Sequence, residues 1–191
     1  LIYPCIGVGG LFNFFGRRKL YRYLGQTILG LGLLFLGMQI MSEAVLPLKE
    51  NVFFLNLLVR FSKQPLLGIV CAALLTAMIQ SSSAVTGVAV ALTLQNILTL
   101  EAAIPLILGT NVGTCITAVL AGMGTTLSAK RAAFSHVLFN LLGVILALIF
   151  LKPFTALVLY TSPVVVRQVA NAHTLFNVMN TIVIFPFFKY F

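Results

Sequence analysis

No aspartate occurs anywhere in the chain, and its carboxylates are limited to Glu43, Glu50 and Glu101. The missing aspartate removes one member of a Ser-His-Asp triad, and no G-x-S-x-G elbow is present. Three adjacent serines, Ser81, Ser82 and Ser83, also stand where a hydrolase nucleophile needs one. An intramembrane hydrolase using them with His136 or His173 as base is therefore the weakest reading, and no enzyme is expected. Charge of either sign is scarce as well. Only 8% of the 191 residues are charged and 60% are hydrophobic, whereas a soluble domain carries about a quarter charged residues. Cys5, Cys71 and Cys115 lie inside apolar runs without metal-ligand spacing and read as small packing residues. Nor does a basic stretch precede the first apolar run, as a signal peptide would require. Leu1–Phe15 instead reads as the end of a transmembrane helix that begins upstream.

What the chain does have is a series of apolar runs of membrane-spanning length, about 20 residues each. It is expected to be all-α and polytopic, in contact with the lipid bilayer. Twelve Lys/Arg give a net charge of +9. They sit at the ends of the apolar runs, where they anchor headgroups and set topology, rather than on one wettable face. That placement excludes nucleic acid as a partner. Orientation is weakly biased: with Arg17–Arg22 inside, seven basic residues fall on that side and five on the other.

Along the chain, residues 1–23 read as the end of a preceding helix plus a basic connector, and 24–191 as one membrane repeat. In the run from Leu24 to about Met41, Gly25/Gly32 and Gly30/Gly37 form two rows that allow close helix packing. Residues 42–64 suit an interfacial helix. The run Leu66–Leu94 is too long for one span and is split by Gln80-Ser81-Ser82-Ser83. It reads as a re-entrant helical hairpin with the tetrad at its tip, or else as a single discontinuous span. Ala102–Ala121 is interrupted by Gly109-Thr110-Asn111-Val112-Gly113-Thr114, a second expected break. Ala132–Leu151 spans again and ends at Lys152-Pro153. After the short segment Phe154–Tyr160, Val169–Phe188 forms the last span.

The polar tetrad is costly at membrane depth unless it faces a cavity or a ligand. Between residues 64 and 129 the one charged side chain is Glu101. A ligand there is therefore held by hydroxyls, amides and backbone dipoles: helix N-termini for anions, unwound carbonyls for cations. Thr110, Asn111 and Thr114 add oxygen atoms suited to a hard cation. An anion in so neutral a site needs a co-bound cation such as Na⁺. An internal repeat, A-x-x-H-x-L-F-N, occurs at Ala133–Asn140 and Ala170–Asn177. Each copy sets His and Asn on one helical face. His136, Asn140, His173 and Asn177 either hydrogen-bond across helices or contact a transported ion.

The Q-S-S-S tetrad, the Gly109–Thr114 segment and the two His-x-Leu-Phe-Asn segments occur in this order. Together they resemble the sodium/phosphate cotransporter family, type II and its bacterial relatives. The resemblance runs from about Gly30 to the C-terminus. It implies Na⁺-coupled symport of inorganic phosphate by a multi-pass protein of the cell membrane, here a bacterial inner membrane, with Na⁺ as coupling ion and no other cofactor. By resemblance, Gln80, Ser81, Ser82, Ser83 and Thr114 bind phosphate, and Ser83, Thr110, Asn111 and Thr114 bind Na⁺. His136, Asn140, His173 and Asn177 support them. Family members carry two inverted copies of the unit, and this chain holds one, similar to the second. The expected partner is the missing first repeat or a second protomer. A channel or a structural helix bundle is the alternative.

Overall fold

The computed structural model describes residues 2–190, with side chains through Phe187. Leu1 and Phe191, the outer limits expected for the chain's first and last segments, lie outside the described residues. Every regular element among the described residues is helical. The chain divides into two compact units, Leu1–Leu46 and Pro47–Phe191.

The first unit is a helical hairpin of α1 (Ile2–Phe15) and α2 (Lys19–Ala44). Gly9 lies against Gly25 and Leu29, and Gly32 against Cys5 and Ile6, so the two helices run antiparallel. A Cβ on Gly25 would meet the backbone of Phe12 and Asn13. The Gly25/Gly32 row is thus the seam expected from the spacing. Gly30 and Gly37 face open space: beyond their own helix backbone and chain neighbours, no atom lies within 4 Å of where a Cβ would stand. Helix α2 begins at Lys19 rather than Leu24, because Lys19, Leu20 and Arg22 are good helix formers and nothing in their sequence breaks the turn.

In the second unit, Asn51 caps α3 (Val52–Lys63) by accepting from the Phe54 amide at 2.9 Å. Gln64 and Pro65 end that helix and open α4 (Pro65–Ile79), with a bend of 118° between the two. Proline suits the first turn, where an amide has no helical partner. Helix α5 (Ser82–Leu94) follows the tetrad, and Thr99 and Thr126 cap α6 (Leu100–Gly122) and α7 (Leu127–Ile149). Phe150 separates α7 from α8 (Leu151–Tyr160), so Lys152 and Pro153 lie in the first turn of α8 instead of terminating a span. Helix α9 (Val165–Ile184) starts four residues before the expected Val169 and passes into a 3-10 turn, Phe185–Tyr190, around Pro186.

Helix α6 is the centre of this unit: Ala103, Ile104, Ile107 and Leu108 are at most 1% exposed. It runs parallel to α4, since Gly68 meets Pro105, Gly109 meets Ile69 and Ala72, and Gly113 meets Ala73 and Thr76. It is antiparallel to α7, with Gly122 against Ala129 and Ala133 and Cys115 near the His136 carbonyl. Among the described residues, three helices are long and apolar enough to cross a membrane, or four if the bent α3–α4 pair counts as one span. Large apolar side chains such as Met78, Phe134 and Ile149 are widely exposed. Such an outer surface suits lipid rather than water. This is an all-α, multi-pass membrane protein.

Candidate functional site

The tetrad divides its work residue by residue. Gln80 ends α4 in the left-handed conformation (φ 59°, ψ 25°), and its amide donates to the Thr76 carbonyl at 2.6 Å. Ser81 is extended (φ −143°), and its Oγ accepts from the Ala84 amide at 3.2 Å, capping α5. Ser82 and Ser83 form the first turn of α5, where N–H groups have no partner within the helix. The two-residue turn thus places the last carbonyls of α4 beside the first amides of α5. One end carries partial negative charge and the other partial positive charge. Ser81 and Ser82 are half-buried, and Gln80 and Ser83 are exposed.

The Gly109–Thr114 segment does not break. Helix α6 is continuous from Leu100 to Gly122, and the segment's glycines serve contact instead. A Cβ on Gly109 would meet the Ile69 carbonyl oxygen, and one on Gly113 the Ala73 carbonyl oxygen. The expectation of unwound carbonyls here is therefore corrected: the glycines admit the α4 backbone, and α6 keeps its own hydrogen bonds. Thr110 Oγ1 donates to the Ile107 carbonyl at 2.7 Å, Asn111 Nδ2 to the same carbonyl at 2.9 Å, and Thr114 Oγ1 to the Thr110 carbonyl at 2.8 Å. The two threonine hydroxyl donors and one N–H of Asn111 are satisfied locally, which leaves hydroxyl lone pairs and the Asn111 Oδ1 as acceptors.

The parallel register decides what comes together. Gly113 lies opposite Thr76, so Thr114, about two turns before the end of α6, is level with the last turn of α4 that leads to the tetrad. Thr110 and Asn111 sit about one turn, or about 5 Å, further from that end and are buried. Thr110 also borders an apolar cavity of about 230 Å³ shared with Leu75, Val85, Leu106 and Ile107. Two threonines that sequence reasoning passed over flank the tetrad. The Oγ1 atoms of Thr76 and Thr86 are enclosed and without a hydrogen-bond partner among the described residues. Thr93, Thr110 and Thr114, by contrast, bond to their own helix. The available signal was position: Thr76 precedes Gln80 by one helical turn.

The A-x-x-H-x-L-F-N repeat behaves alike in both copies. Asn140 Nδ2 donates to the His136 carbonyl at 2.9 Å and Asn177 Nδ2 to the His173 carbonyl at 2.8 Å, each within its own helix. Asn140 also hydrogen-bonds Cys115 of α6, which is the cross-helix role expected of it, and a further cross-helix bond comes from Asn180, whose Nδ2 donates to the Phe139 carbonyl at 3.2 Å. The Asn180 amide rests on Gly143, whose missing Cβ makes room for it. Gly143 and Asn180 hold the same place in the two copies, so α7 and α9 meet at equivalent positions. Among the described residues, no group of three or more His, Cys, Asp or Glu side chains could hold a metal ion.

The family profile described as Na+/Pi-cotransporter matches residues 1–43 and 51–181. YqeW of Bacillus subtilis is 35% identical over 164 residues, 86% of this chain and 53% of its own length. Human sodium-dependent phosphate transport protein 2B is 34% identical over 140 residues, 67% of this chain and 20% of its own length. A Salmonella typhimurium protein named "Putative inorganic phosphate export protein YjbB" is 29% identical over 149 residues, 75% of this chain and 27% of its own length. The chain thus spans about half of YqeW and less of the other two. No solved structure matches it. The profile covers nearly the whole sequence, including the tetrad, α6 and both His-Asn segments, and on that ground the chain belongs to the Na+/Pi-cotransporter family.

Proposed function

We propose that this chain forms one side of a Na⁺-coupled transporter of inorganic phosphate, with the α4–α5 tip as its binding element. The observation that carries the reading is the pairing at Gln80–Ser83 of α4's terminal carbonyls with α5's unpartnered first-turn amides. Phosphate is bound by the amides of Ser82 and Ser83 and by the hydroxyls of Ser81, Ser82 and Ser83, favoured by the α5 dipole. Gln80 and Thr114 complete its shell. Na⁺ is held by oxygen from Ser83, Thr110, Asn111 and Thr114, together with the end of α4. No charged side chain lies between Gln64 and Leu100, so the cation supplies the charge that an anion needs in a site of low polarity. Phosphate and Na⁺ then enter together or not at all. In this scheme α4 and α5 form a re-entrant hairpin, and His136, Asn140, His173 and Asn177 steady α7 and α9 around it. The exposed faces of Gln80 and Ser83 meet a second, inverted unit, from the same protein or a second protomer.

The test is reconstitution of the full-length protein in liposomes, with labelled phosphate uptake followed with and without an inward Na⁺ gradient. Uptake that saturates with phosphate and depends on the gradient supports the proposal and distinguishes it from a channel or a structural bundle. Equal uptake under both conditions contradicts Na⁺ coupling. The name of YjbB favours a second reading, phosphate export. Release from preloaded liposomes that exceeds uptake under every Na⁺ gradient would favour export over symport.

A further inference from the structure

The connection between α1 and α2 has no part in the proposed transport site, yet it is built as a pocket. Gly16 closes α1, Arg17 and Arg18 form the turn, and Lys19 and Arg22 lie in the first turn of α2. A cleft of about 530 Å³ opens there, lined by Leu11, Phe12, Phe15, Arg17, Arg18 and Tyr21. The Phe12 and Tyr21 rings stack across the hairpin with centroids 6.2 Å apart and planes 18° apart. Gly16 makes this close turn possible. A Cβ there would meet the Phe12 carbonyl oxygen and would stand 3.2 Å from both the Arg22 amide and the Tyr21 Cβ. The lining of the cleft therefore combines aromatic and aliphatic residues with two arginines.

Among the described residues of this unit, no carboxylate neutralises those cations. The one acidic residue among residues 1–46 is Glu43, at the far end of α2, where its Oε1 accepts from Gln39 Nε2 at 2.8 Å. Guanidinium forks match phosphate oxygens in pairs. Free inorganic phosphate, however, gains nothing from Leu11, Phe12 and Phe15. A ligand that uses both kinds of lining residue carries a phosphate joined to an apolar chain. We propose that this cleft binds one anionic phospholipid, its headgroup phosphate held by Arg17 and Arg18 and an acyl chain laid along Leu11, Phe12 and Phe15. The surroundings agree, since Phe14 and Phe15 are 80% and 77% exposed and Leu20 and Tyr23 are also open. Aromatic and basic side chains at a helix end are the mark of the membrane interface.

Native mass spectrometry of the full-length protein tests the proposal, with phosphatidylglycerol, phosphatidylcholine and inorganic phosphate titrated separately. The first phosphatidylglycerol is expected to bind at least 10-fold more tightly than phosphatidylcholine. The Arg17→Gln/Arg18→Gln variant is expected to weaken it about 30-fold, at about 1 kcal/mol for each charge removed. Lys130→Gln, a control outside the cleft, should bind phosphatidylglycerol like the parent. If the double variant fails to fold, raised ionic strength applied to the parent protein serves instead and should erase the preference for the anionic lipid. Equal binding of the two lipids, a double variant that binds like the parent, or a preference untouched by salt would each overturn the proposal. So would inorganic phosphate binding with the same arginine dependence while phosphatidylglycerol showed none.

Discussion

Ser82 opens α5, and its amide is the donor on which the proposed phosphate site most depends. Proline is accepted at this first helical position, and the preceding Ser81 is already extended, as the residue before a proline must be. Ser82→Pro is therefore expected to keep the helix while removing both the amide hydrogen and the hydroxyl. A hydrogen bond to a charged group contributes about 1.5–3 kcal/mol, so phosphate affinity should fall at least 10-fold. Ser82→Ala, which keeps the amide, should lose less; phosphate titrations of the two variants compare them. Gln80 tests a different point, because its left-handed backbone suits glycine better than glutamine. Gln80→Gly should preserve the turn, with unchanged thermal stability or better, while transport falls through loss of the amide side chain. The tetrad was legible in the sequence because four polar side chains between apolar runs have no other excuse. Its division into a helix stop, a cap and two open amides was not, since that depends on backbone angles shared by two helices.

At the scale of elements, the parallel α4–α6 contact organises the second unit. Gly109 and Gly113 have helix backbone where a side chain would go, whereas Gly30 has open space. Gly113→Ala should destabilise the protein by about 1–3 kcal/mol through overpacking. Gly30→Ala should be neutral or stabilise α2 by up to about 1 kcal/mol. Thermal unfolding in one detergent compares them directly, and equal shifts for the two would contradict the packing assignment. Asn180→Leu should cost about 0.6–1.7 kcal/mol, the usual range for a cross-helix hydrogen bond in a membrane protein. These contacts explain where sequence reasoning failed. Gly109-Thr110-Asn111 reads as a break because glycine and asparagine weaken a helix, and the helix that relies on those glycines lies some 40 residues earlier. The split of the run Leu66–Leu94 at Gln80–Ser83 was readable locally, because polar residues interrupt an apolar stretch.

For the whole molecule, the governing fact is a polar tip without fixed charge in a multi-pass membrane protein of the Na+/Pi-cotransporter family. The family was legible because three motifs occur in the right order; the Asn180–Gly143 contact was not, because it joins positions that only folding brings together. Coupling follows from the tip's neutrality: if a cation is what neutralises bound phosphate, neither ion binds well alone. Na⁺ should then raise phosphate affinity, and phosphate should raise Na⁺ affinity by the same factor. The most direct measurement is equilibrium binding of labelled phosphate to the purified full-length protein, in sodium chloride and in choline chloride at equal ionic strength. The account predicts saturable binding in sodium, at least 10-fold weaker binding in choline, and weak binding of Ser82→Pro in both. Equal affinity in the two salts, or a Ser82→Pro variant that binds like the parent, would contradict it.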